Sequence, residues 1–122
     1  MSRSAPEIRN SAKALIIENG AILLQRCRIE GQLVHLLPGG TQEHGESLAD
    51  TVRREVLEEA GMNIIVNGLL WVREFIAHNH AAVVDDGAHA VECFFRCTPE
   101  AGATIGPPAS LIRARSMSIG YR

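Results

Sequence analysis

The chain has 122 residues, of which 46% are hydrophobic and 21% charged, and a formal charge of −2. That is enough for one soluble globular domain with a single core and too little for two. The charge argues against a nucleic-acid polymer or an anionic membrane as the main partner, and no apolar run approaches a membrane span.

The N-terminal stretch MSRSAPEIRNSAK lacks an apolar signal core, so no secretory signal is expected. Residues 1–11 read as a loose tail and 12–122 as a single domain. Two apolar runs, Ala12–Glu18 and Ala21–Arg26, flank Asn19-Gly20 and predict a hairpin. Cys27–Gln32 reads as a polar connection. Leu33–Leu37 reads as a short strand running into a Pro38-Gly39-Gly40 turn, where glycines let the backbone approach a ligand. The three cysteines, Cys27, Cys93 and Cys97, form no C-x-x-C pair. Reduced thiols in a cytoplasmic protein are expected, with a zinc site built from them and a histidine as the minor alternative.

A helix is predicted at about 47–60. Ser47 offers an N-cap with Asp50 three residues on, and Gly61 stands where a left-handed C-cap belongs. Leu48, Val52 and Val56 form an apolar row that can pack on a sheet. Glu55, Glu58 and Glu59, at i, i+3 and i+4, crowd one side together with Thr51. Like charges at that spacing repel unless something positive sits between them, and carboxylate oxygens are the hard ligands that Mg²⁺ and Mn²⁺ prefer.

Beyond the helix, Asn63–Asn79 is β-rich and interrupted at Asn67-Gly68, either as two strand pieces or one bent strand. His78–Ala88 reads as a loop and His89–Thr98 as a further strand. Strands before and after one helix argue for a mixed α/β (α+β) sheet protein.

Gly40, Glu46 after five residues, and Arg54-Glu55-Val56-Leu57-Glu58-Glu59-Ala60-Gly61-Met62 after seven more fill every fixed position of the Nudix box. Over these 23 residues, 40–62, the chain closely resembles the Nudix hydrolases. The resemblance implies an α/β/α sandwich around a mixed sheet. It also implies metal-dependent hydrolysis, with Mg²⁺ or Mn²⁺, of a nucleoside diphosphate linked to another moiety. Glu58 and Glu59 would then be the main metal ligands, Glu55 a further ligand or the general base, and the Gly39 carbonyl would complete the site. Arg54 and Glu46 would support the loop and the glutamates through ion pairs, the bland reading of Arg54 being a simple surface pair with Glu58.

Family members sometimes draw a further acid from a later loop, for which Asp85, Asp86, Glu92 and Glu100 are available. Glu92 alternates with its neighbours on a strand and faces either the site or solvent. His78, His80 and His89 are candidates to line a base or ribose pocket, His78 foremost. The proline of many ADP-ribose hydrolases is absent, Ala77 and His78 standing in its place, and no coenzyme A marker precedes the box. The substrate is thus expected to be a small nucleotide of the triphosphate, nucleotide-sugar or dinucleotide type. A nucleotide-sensing module without turnover is the alternative, although such modules typically lose box glutamates that this chain keeps.

In proteins of this family a further strand and a long helix follow the segment that ends here near Cys97. An incomplete, inactive domain is therefore a third reading, and an open sheet edge near Val91, Phe94, Phe95 and Leu111 predicts a homodimer. Alternatively, LIRARSMSIGY alternates well enough to form a short closing strand within the chain.

Overall fold

The computed structural model describes residues 7–77, 87–101 and 111–113, the last three by backbone alone. Among these residues, seven strands and one helix run in the order β1 (Arg9–Glu18), β2 (Ala21–Ile29), β3 (Gln32–Leu36), β4 (Gly39–Thr41), α1 (Leu48–Ala60), β5 (Ile64–Ile76), β6 (His89–Pro99) and β7 (Leu111–Arg113). The sheet is ordered β3-β2-β1-β6-β5, with β4 added to β1 and β7 to β2.

The hairpin forms at Asn19-Gly20, both residues at positive φ (53° and 73°), as a tight turn between twisted strands demands. Only Ile17 and Glu18 pair with β2 (Ile22 and Ala21). The two strands then part, and β1 is free to take β4 antiparallel on one side and β6 parallel on the other. That parallel ladder runs from Arg9–Ala90 to Ile16–Cys97. It draws Arg9, Asn10 and Ser11 into a strand, so ordered structure reaches into the stretch read as a tail. The polar connection expected at Cys27–Gln32 is mostly strand as well, because β2 runs to Ile29 and turns tightly at Glu30-Gly31. Gly39-Gly40 is a short strand rather than an open turn, and Ala12 and Lys13 are its partners.

Alternation along β1 separates two faces. Ala12, Ala14 and Ile16 are fully buried and join Leu23, Ile64 and Cys97 with Val52, Val56 and Ala60 of α1 in the core. Burying Val52 and Val56 contributes about 1.5–3 kcal/mol each. Ser47 caps α1, accepting from the Asp50 amide at 3.0 Å while the Asp50 carboxylate accepts from the Ser47 amide. Gly61 closes the helix in the left-handed region (φ 65°), its amide donating to the Leu57 carbonyl. Among the described residues this is the one helix, lying on one face of the sheet.

β5 is a single strand, with one register shift at Val66/Gly68, where the Asn-Gly interruption stands, and a second at Leu69/Trp71. A short strand does form at Leu111–Arg113, pairing with Leu23–Gln25 of β2. Of the residues expected near an open sheet edge, Val91 is half-buried and the side chain of Leu111 lies outside the described residues. Phe94 is buried, with Trp71 stacked at 5.0 Å, and Phe95 packs against the core. Among the described residues, exposed apolar side chains cluster on β5 at Ile65, Leu69, Leu70, Trp71 and Val72, with Ile8, Ile17, Leu33, Leu36 and Leu57 exposed elsewhere. No described helix is long and apolar enough to cross a membrane.

Candidate functional site

The site is built where the middle and last turns of α1 meet β4. Arg54 is its hub. Its Nε donates to Glu46 Oε2 at 2.6 Å and its Nη2 to Glu46 Oε1 at 3.1 Å, a two-pronged pair whose geometry suits the planar guanidinium. Nη2 also donates to the Thr41 carbonyl at 3.1 Å, tying the helix to the end of β4. Nη1 reaches Glu55 at 3.0 Å and Glu58 at 3.4 Å, with Glu43 at 3.8 Å. The pair with Glu58 exists, but it is one contact among several.

Glu46 collects further donors, from the Glu43 amide and the Thr51 hydroxyl, each at 2.9 Å. The Arg54 guanidinium first, then those two hydrogen bonds, hold its carboxyl down at about 2. The same pairing raises Arg54 above its ordinary range. Thr51 is completely buried and also donates to the Ser47 carbonyl. The loop from Thr41 to Ser47 is thus pinned to the helix by fully satisfied charges.

The three box glutamates divide. Glu55 and Glu59, one turn apart, turn toward β4, whereas Glu58 stays exposed beside Arg54. Glu59 accepts from the Gly39 amide at 3.1 Å. The space beside Gly40 is filled by the Glu55 carboxylate, which any side chain at Gly40 would strike. At Gly39, where φ is 147°, a Cβ would run into the Ala12 carbonyl. Both glycines are therefore required for the helix carboxylates and the strand backbone to come this close.

Glu55 and Glu59 lie within hydrogen-bonding reach of one another. Burial and the neighbouring Glu55 carboxyl push Glu59 up to about 7, against the Gly39 amide and the Lys13 charge, which pull it down. Two carboxylates pressed together need a proton or a cation between them. An all-oxygen pair beside a backbone turn is donor chemistry that fits Mg²⁺ or Mn²⁺. Among the described residues no three His, Cys, Asp or Glu side chains converge as a ready-made set, because Glu58 points to Arg54. The zinc alternative finds no support in Cys97, which is buried and pushed up to about 11.

Glu46, Arg54, Glu55, Glu58, Glu59, Gly39 and Gly40 are thus brought together. Glu92 is not. It pairs with Arg73 at 2.7 Å across β5 and β6, and its register with Ser11 sets it on the sheet face opposite Ala12 and α1. His78, His80, Asp85 and Asp86 lie outside the described residues. Thr41, Glu43 and Lys13 escaped the sequence reading. Thr41 acts through its carbonyl and Glu43 mainly through its amide, main-chain groups that carry no side-chain signature, and Lys13 lowers Glu59 by its charge alone, brought near it by the pairing of β1 with β4.

Comparison with known proteins bears on the whole of this arrangement. A family model for the NUDIX domain matches residues 8–120. The Xenopus laevis protein called nucleoside diphosphate-linked moiety X motif 6 is 36% identical over 63 residues, which are 52% of this chain and 28% of that protein. The matched region is thus well under half of the frog protein. The crystal structure of a MutT NUDIX hydrolase from Burkholderia pseudomallei superposes with a TM-score of 0.69 at 27% identity, over 88% of this chain and 83% of that one. A NUDIX hydrolase from Nitrosomonas europaea gives 0.68 at 18% identity, over 88% and 72%; at that identity the likeness speaks for the fold. With a family match spanning nearly all of its length and a box helix packed against two glycines of the sheet, this chain belongs to the NUDIX domain family.

Proposed function

We propose that this chain is a pyrophosphohydrolase that uses Mg²⁺ or Mn²⁺ to cleave a nucleoside diphosphate linked to another moiety. The observation that carries the reading is the Glu55–Glu59 carboxylate pair against Gly39-Gly40, fixed from behind by the Arg54–Glu46 pair. The names of the frog relative and of the Burkholderia hydrolase point to the same substrate class and family of reactions.

Glu58 and Glu59 with the Gly39 carbonyl would hold the ion, with Glu55 beside them as a further ligand or as the base. When bound, it neutralises charge on the pyrophosphate oxygens and lowers the pKa of a bound water. The chain's own residues supply the rest. Arg54 keeps Glu55 oriented through a 3.0 Å contact and restrains Glu58, so that the carboxylates are not left to rotate. Glu46 in turn fixes Arg54. Glu55, in contact with both Arg54 and the Gly40 backbone, is the candidate to accept the proton of the attacking water. The substrate is a small-molecule nucleotide.

A panel of nucleoside triphosphates, nucleotide sugars and dinucleotide polyphosphates, assayed with each metal for phosphate or nucleotide release, tests the reading. Turnover is expected on at least one member. Glu58→Gln and Glu59→Gln should each lower kcat by several orders of magnitude with the melting curve little changed, because a ligand is lost and no core volume. A folded protein inert on the whole panel would overturn the proposal. Tight binding of a nucleotide recovered intact after long incubation with Mg²⁺ would assign the chain to sensing instead.

A further inference from the structure

The cations around the carboxylate pair are mostly committed. Arg54 gives its guanidinium to Glu46, Glu55, Glu58 and the Thr41 carbonyl. Arg53 pairs with Asp50, and Arg73 with Glu92. Lys13 makes no ion pair with any described residue. It is half-buried on β1 and stands directly opposite Gly39 of β4 in the ladder. Ala12 and Ala14 on either side of it join the core under α1, so Lys13 occupies the other face of the sheet. Its charge nevertheless draws Glu59 down, and Glu59 is bound to the Gly39 amide. The lysine and the carboxylate pair thus flank the same glycine.

We propose that Lys13 holds a phosphate of the substrate next to the one at the carboxylates, and so selects nucleoside triphosphates over diphosphate diesters. The assignment rests on the chain being a pyrophosphohydrolase. Its physical basis is charge. A nucleotide sugar carries one negative charge on each of its two phosphates, and a single divalent ion cancels both. A nucleoside triphosphate ends in a phosphate monoester with about 1.5 to 2 charges of its own, so an excess remains for a second cation to meet. Gly39 has no side chain to stand in the way on the Lys13 side. The four-carbon stem of a lysine is long enough to cross one strand spacing, about 4.8 Å. A half-buried ammonium also binds an anion more strongly than one in open water, because less screening stands between the charges. A lysine that merely offset the Glu55 and Glu59 charges would serve every substrate alike.

Kinetics and equilibrium binding on Lys13→Met test this, since methionine keeps most of the stem and removes the charge. KM for a nucleoside triphosphate should rise about tenfold, and far less for a nucleotide sugar, with kcat on each little changed. Lys13→Arg should recover most of the loss. Arg96→Gln removes an exposed cation that follows Phe94 on the same face, opposite Leu15, and should leave the ratio of the two KM values unaltered. Calorimetry with a triphosphate analogue, methylene groups replacing the anhydride oxygens, should show binding weakened about tenfold in Lys13→Met. That measurement needs no turnover. A chain inert on every nucleotide whose Lys13→Met variant still loses the analogue would keep Lys13 as a phosphate ligand and reject hydrolysis alone. Equal losses on both substrates, no loss on either, or an equal effect from Arg96→Gln would overturn the proposal.

Discussion

Glu46 and Glu59 illustrate how environment sends one side chain in opposite directions. Glu46 accepts from Arg54, Thr51 and the Glu43 amide, so its folded-state carboxyl titrates near 2, below the ordinary 4.5. A depressed acid contributes stability that is complete above the unfolded value and lost as pH falls through the folded one. Glu46→Gln should therefore lower the melting temperature at neutral pH. The gap from wild type should close as pH falls from about 4.5 to about 2, which melting curves across that range would check. A gap constant with pH would mean that the Glu46 charge is not what anchors the loop. At Gly40 the reasoning is steric. Gly40→Ala would drive its methyl group into the Glu55 carboxylate. Activity should fall at least tenfold with the fold retained, since Glu55 is the side chain that must move. Steady-state kinetics beside a thermal melt would separate the two effects.

At the scale of the element, α1 is specified almost wholly by its own residues. Ser47, Asp50 and Gly61 fix both ends, and the Val52/Val56 row fixes which side is buried. Ser47→Ala removes the acceptor for the Asp50 amide and should cost about 1 kcal/mol, read as a fall of about 4 °C in Tm. Because Ser47 also stands beside the Glu46 loop, catalysis should drop less steeply than for the glutamate variants. The helix was therefore legible from sequence to within a residue of its start. β2 was less so. Its second half is polar outside because one side of Cys27–Ile29 faces solvent, and such alternation in a short window reads as a connection.

For the whole molecule, the crowded carboxylates make stability depend on pH and metal together. Glu59, raised from 4.5 to about 7, binds its proton more tightly folded than unfolded. The sign is opposite to that for Glu46. The contribution is complete below about 4.5 and lost as pH rises through about 7. In EDTA this group should lower Tm as pH rises from about 5 to about 8, and Mg²⁺ should restore more at pH 8 than at pH 5, where the proton occupies the place of the cation. Differential scanning calorimetry with and without metal checks it. Equal Mg²⁺ effects at both pH values would remove Glu55 and Glu59 as the binding pair.

What the sequence determined by itself is what short-range chemistry decides: the Asn19-Gly20 turn, the capped helix, its buried stripe, and the spacing of Gly40, Glu46, Arg54 and the three glutamates. These depend on residues within a few positions of one another, where dihedral preference and helical periodicity act directly. The tertiary structure decided which of those residues meet. Arg54 became a hub because β4 brings the Thr41 carbonyl to it, and Glu55 and Glu59 parted from Glu58 because Gly39 and Gly40 stand beside one side of the helix only. Glu92 fell on the other face through a register with β1, a strand some eighty positions earlier in the chain. Among the described residues β5 ends the sheet, because β6 crosses over to run parallel to β1 and leaves β5 on its far side. Pairings over such separations are set by packing of the whole sheet, and a one-residue slip reverses every face, so no local window of sequence contains them.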